Sequence, residues 1–154
     1  MIAARTAVAS AWGDRTVRQQ FRASGSGLPA SPFAFDGDAI GLMRGFGEGA
    51  ILGQHAVVAN LDYRFPILGV QRGIGTLPVF VRTVHGAVFA DLGHAWTSVF
   101  RSSELRRALG AELSFDAVVG YSLPITLTAG AAWRDDPVAG RRGFAAFGRL
   151  GHAF

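Results

Sequence analysis

The side chains able to do chemistry in this chain are sparse and spread out. Four histidines, His55, His85, His94 and His152, show none of the close spacings of a zinc site. His94 and His152 sit in the similar strings Gly-His-Ala-Trp and Gly-His-Ala-Phe and read as strand-end residues. No G-x-S-x-G elbow and no phosphate-binding loop of Walker type occurs. The run Arg44-Gly-Phe-Gly-Glu-Gly lacks the strand–loop–helix setting that a phosphate cradle needs. We therefore expect no enzyme, no metal and no cofactor. What remains is electrostatic. Asn60, Asp62 and Arg64 alternate along one segment, Glu112 and Asp116 lie on another, and Arg134 and Arg149 on two more.

Period two is the rhythm that positions them. From His55 to Phe65, Val57, Ala59, Leu61, Tyr63 and Phe65 point one way, and Asn60, Asp62 and Arg64 the other. Pro66 is expected to end that strand. Strands follow over 79–96, 105–118, 125–134 and 143–154, each with an aliphatic or aromatic side opposed by a polar one. An earlier strand is expected near 3–12. Between them lies a Gly/Ser/Pro-rich stretch without clear periodicity. The expected organisation is a strand in 1–12, a long loop over 13–52, and a five-strand antiparallel meander over 53–154.

Composition narrows the setting. Of 154 residues, 49% are hydrophobic and 17% charged, and mean hydropathy is +0.27. Soluble domains carry roughly 25% charge, so such a chain either buries nearly everything or faces lipid. No cysteine is present, which excludes disulfides and thiolate metal sites. The net charge of +4 comes only from arginines, and these are scattered, not in a basic block, so no nucleic-acid partner is expected. The longest uncharged run, 117–133, contains glycines, threonines and Pro124 and reads as turn plus strand, not as a spanning helix. Strands of about ten residues with one apolar and one polar side mark transmembrane barrels. Tyr63 and Phe65 at one end, with Trp96 and Trp133 at the other, would form interfacial girdles. The same alternation also fits a soluble β-sandwich or lipocalin-like barrel, with the apolar side inward.

A set of short motifs separates these options. Met43-Arg44-Gly45-Phe46 precedes the strand ending Asp62-Tyr63-Arg64-Phe65-Pro66. Phe89-Ala90-Asp91-Leu92-Gly93 lies in the following strand, and the chain ends in Phe154. In order and spacing this resembles the BamA-type outer-membrane barrels, the bacterial surface antigen family, over residues 42–154. The family has an RGF/RGY motif in a long extracellular loop, an F-x-D-x-G motif in a barrel strand and a terminal aromatic. This chain departs in having Met before Arg44 and only six visible strands where family barrels have sixteen. It also lacks the periplasmic POTRA domains.

The resemblance implies an all-β fold: a partial antiparallel transmembrane β-barrel with a long lumen-plugging extracellular loop, in the bacterial outer membrane. It implies that Arg44, Gly45, Phe46, Phe89, Asp91 and Gly93 form a structural motif in which Arg44 meets Asp91. Asn60, Asp62, Arg64, Glu112, Asp116, Arg134 and Arg149 would face the lumen. Phe154 would be an assembly signal read by the barrel-assembly machinery. With the last strand running toward the periplasm, 135–142, 97–104 and the Arg44 loop are extracellular, and 119–124 and 67–77 periplasmic. No signal peptide opens the chain, so we expect a piece of a longer protein whose missing N-terminal strands pair with it. The implied role is a barrel for protein assembly, translocation or anchoring. A passive porin-like or anchoring barrel and a soluble β-sandwich binding module are the alternatives.

Overall fold

The computed structural model describes residues 1–12, 21–24, 39–47, 51–73, 75–120 and 122–152. Six strands form one antiparallel sheet in the order β1-β5-β6-β7-β8-β9. They are β1 (Ile2–Ser10), β5 (His55–Gly73), β6 (Val79–Trp96), β7 (Arg106–Val119), β8 (Leu123–Asp136) and β9 (Arg141–His152). Three short strands, β2 (Phe21–Ser24), β3 (Ala39–Leu42) and β4 (Ile51–Gly53), make a second sheet in the order β3-β2-β4. The fold is all-β. The large sheet does not close on itself, so β1 and β9 are its two edges.

Three expectations need correction. The strand beginning at His55 does not stop at Pro66 but continues to Gly73. Arg64 donates its backbone N–H to Met1 O, toward β1. Two residues on, the Pro66 nitrogen faces the same side and not β6, so its missing N–H takes no bond from the β5–β6 ladder. Pro66 still pairs with His85, and the register shifts just beyond it. The stretch 13–52 is not one structureless loop either, since β2 and β3 lie within it and β4 begins in it. They are three or four residues long, too short to display a period. The first strand spans 2–10 and not 3–12.

Registers across the sheet show how the alternation sorts the side chains. One row reads Ala4–Leu61–Ala90–Leu109–Trp133–Phe144, and the next Ile2–Tyr63–Val88–Ala111–Ala131–Ala146. Below them come Phe65–Gly86–Leu113–Ala129–Gly148 and then Phe115–Leu127–Leu150. No charged residue occurs in these rows. The side chains lie open to the surroundings, with Phe144 82% and Leu109 55% exposed.

Most buried residues sit on the opposite face; His94, on the apolar side, is covered by Trp96 and Phe100. Met43, Phe46 and Ile51, from outside the large sheet, pack with Val58, Phe89, Ala108 and Ala132 into one apolar cluster, and Ala95 and Phe147 flank it. Phe89 and Phe147 meet edge to face at 5.9 Å, a favoured aromatic geometry. This small core fastens the segment 43–47 onto the sheet.

Candidate functional site: an ionic cluster under a tight turn

The site begins with a turn. Phe46 donates its N–H to Met43 O at 3.3 Å, and Gly45, the third turn residue, has φ +83°. A type II turn requires a positive φ at that place, which suits glycine. A side chain at Gly45 would also collide with Ala132, because a Cβ there would lie 2.8 Å from the Ala132 Cβ. The turn is thus pressed directly onto β8. Arg134, also on β8, donates from Nη1 to Gly45 O at 2.9 Å and holds it there.

Arg44 then points at β6. Its Nε donates to Asp91 Oδ2 at 2.9 Å and its Nη2 to Asp91 Oδ1 at 2.7 Å. Its backbone N–H also donates to Oδ2, at 3.0 Å. Asn60 Nδ2 adds a fourth donor to Asp91, at 2.8 Å. A buried carboxylate needs such saturation, because each lone pair left without a partner loses its hydration for nothing. Asp91 is fully buried and Arg44 is 2% exposed. The planar guanidinium also lies over the Phe89 ring, 3.7 Å from its centre, a cation–π contact.

The cluster extends beyond this pair. Arg44 Nη2 donates to Asp62 Oδ1 at 2.5 Å, and Arg64 pairs with Asp62 from the other side at 3.1 Å. Arg44 Nη1 lies 3.6 Å from Glu112 Oε1, and Arg149 donates to Glu112 Oε2 at 2.6 Å. Three arginines, 44, 64 and 149, are therefore set against three carboxylates, 62, 91 and 112. The formal charges cancel, which makes the burial tolerable. Burial by itself would lower the Arg44 pKa, but its hydrogen bonds to Asp91 and Asp62 and their charges hold it above its ordinary value.

Asp116, on the same face, accepts from Thr126 at 2.6 Å and faces His85 at 3.4 Å. Asn60, Asp62, Arg64, Glu112, Asp116, Arg134 and Arg149 thus all lie on the face that carries the turn. Gly93 completes the motif by its smallness, since a Cβ there would lie 2.7 Å from Met43 Sδ. Phe154 lies outside the described residues. His55 hydrogen-bonds Ser10, and His94 stacks on Trp96 at 5.4 Å. Among the described residues, no three potential ligands gather as a metal site.

Sequence reasoning missed several members of this face. Arg106, 8% exposed, pairs with Asp136 at 3.0 Å. Parity with Ala108 and Glu112 was the available signal, obscured by the adjacent Arg107. Phe147, which backs Phe89, shares its side of β9 with Arg149 and could have been read from that spacing.

An arrangement of this kind can hold one segment rigidly on a sheet. Comparison of the chain with models of protein families, with curated proteins and with solved structures finds no match.

Proposed function

We propose that this chain is the C-terminal part of an outer-membrane β-barrel of the BamA-type surface antigen class, in which strands beyond this chain pair with β1 and β9 to close the wall. In this reading the row-forming apolar face meets lipid, and the ionic face lines the lumen with the 43–47 turn as part of the plug. The parent barrel assembles, translocates or anchors other proteins. The chain's own work is mechanical: it forms wall and pins a loop inside it.

The single observation that carries the reading is the polarity of the sheet. A water-soluble sheet buries its apolar side and wets its charges. Here the ion pairs of Arg44 are buried, whereas Leu61, Tyr63, Leu109, Leu127 and Phe144 are exposed. The uncharged band also has a fitting height. From Ile125 to Trp133, β8 rises roughly 26 Å at about 3.3 Å per residue, or about 20 Å upright at the usual barrel tilt, close to the apolar band of about 25 Å.

Vesicle flotation tests this. The full chain refolded with phosphatidylcholine vesicles is expected to float with them and to resist extraction by alkaline carbonate. A monodisperse monomer in detergent-free buffer, with no association with vesicles, would overturn the assignment.

A further inference from the structure

The apolar band is uncharged across its rows, but it is not bounded alike at its two ends. Directly above the row Leu109–Trp133–Phe144, toward the end that carries the 43–47 turn, the next row is Arg107–Asp135–Arg142. These three side chains share parity with the lipid-facing rows, so they leave the sheet on its apolar side. At the other end of the same strands, the corresponding row is Ala117–Ile125–His152, with Val119 and Leu123 beyond it. Among the described residues, the arginines and carboxylates on this face of β7, β8 and β9 therefore stand at one rim.

The rim has surplus positive charge. Arg142 Nε donates to Asp135 Oδ1 at 2.8 Å, yet its side chain remains 73% exposed while Asp135 is 16% exposed. Arg107, on the other side of Asp135, makes no hydrogen bond or ion pair among the described residues. Two arginines thus flank one carboxylate. With strands roughly 4.8 Å apart, their bases stand about 10 Å from each other, and two flexible arms can converge on one anion.

What such an anion must look like follows from the residues beneath it. Leu109, Trp133 and Phe144 lie one row below, and Phe144 is 82% exposed. A free anion would use the arginines and leave that row bare. A molecule with an anionic head and hydrocarbon tails would use both.

We propose that Arg107 and Arg142 seat the phosphate of a membrane lipid, with Leu109, Trp133 and Phe144 taking the first segments of its acyl chains. The guanidinium forks match phosphate oxygens in geometry and charge. The seat fixes the turn-bearing end of the sheet at a phosphate-rich headgroup layer. The proposal rests on the bilayer reading above.

The experiment uses the full chain in vesicles of phosphatidylcholine containing a minority of phosphatidic acid, whose phosphomonoester is the probe. After flotation and gentle detergent extraction, the lipids retained by the protein are counted by native mass spectrometry. The wild type is expected to be enriched in phosphatidic acid over the bulk, and excess inorganic phosphate is expected not to displace it. Enrichment falls by about fivefold for each arginine in Arg107→Gln, Arg142→Gln and the double variant, the effect of one basic side chain near an anionic surface. Arg72→Gln, which removes equal charge at the other end of β5, retains the enrichment. Equal retention by wild type and Arg107→Gln would overturn the seat. Arg107→Gln breaks no ion pair among the described residues, so this comparison stands even if the double variant does not fold. Displacement by inorganic phosphate would also overturn it, in favour of a free-anion site. A chain that never floats would overturn the bilayer reading itself, before lipid composition matters.

Discussion

Asp91 receives three N–H groups from a single residue, the backbone N, Nε and Nη2 of Arg44. The backbone donor matters as much as the fork. It ties the position of the turn, and not just the end of a long side chain, to β6. Because the Phe89 ring lies under the guanidinium, the plane of the fork is set as well.

Removing Arg44 is expected to be costly. Arg44→Ala leaves Asp91 buried with only Asn60 and one backbone donor, and it deprives Asp62 and Glu112 of their shared cation. Breaking a buried pair costs about 3–5 kcal/mol. Arg44→Lys restores the charge but not the two-pronged contact, so it should recover only part of the loss. Urea midpoints of the folded protein check the order wild type, Lys, Ala. Charge reversal checks the pairing: Arg44→Asp should be better tolerated when combined with Asp91→Arg.

The glycines of the turn and strand should behave differently from each other. Gly45→Ala meets a left-handed φ, worth about 1–2 kcal/mol, and an overlap with Ala132, worth about 1–3 kcal/mol. Gly93→Ala meets only the thioether of Met43, which can move. Its cost should therefore shrink when Met43 is shortened to Val, while the cost of Gly45→Ala should not. A double-mutant cycle on unfolding free energies measures both couplings.

Much of this arrangement is legible in the sequence, for a physical reason. In β6 the two faces differ in chemistry at nearly every step, Val88 and Leu92 against Phe89 and Asp91, so the strand and its parity can be read directly. Pro66 misleads because its effect depends on which neighbour its nitrogen faces, and only the structure shows that it faces away from β6. β2, β3 and β4 are too short to carry a period. The Arg44–Asp91 contact spans 47 residues and leaves no local trace. Family resemblance pointed to it, whereas alternation could only place Asp91 on the polar side.

The middle of the apolar face provides a prediction that separates lipid from water. Ala129 lies exposed between Leu113 and Gly148. On a water-facing surface Ala129→Arg would be harmless. At a bilayer midplane it should cost about 2–4 kcal/mol. The readout is the folded fraction in vesicles, with Ala139→Arg in the β8–β9 turn as the comparison expected to change little.

The last hairpin rests on Asp136. Its Oδ1 accepts from Val138 N at 3.1 Å, Ala139 N at 3.0 Å and Arg106 Nε at 3.0 Å. One oxygen thus shapes the turn between β8 and β9 and anchors the start of β7. Asp136→Asn keeps an acceptor for the turn and loses the ionic part, whereas Asp136→Ala loses both and leaves Arg106 buried without a partner. We expect a loss of about 1–2 kcal/mol for Asn and about 3 kcal/mol or more for Ala, from the usual value of a charged hydrogen bond and the penalty of an orphaned buried charge. Hydrogen exchange locates the effect. Amides 137–142 should lose protection in Asp136→Ala first, while those of β5 and β6 around Asp91 stay protected. Uniform loss across the sheet would mean that Asp136 stabilises the whole fold, not this hairpin.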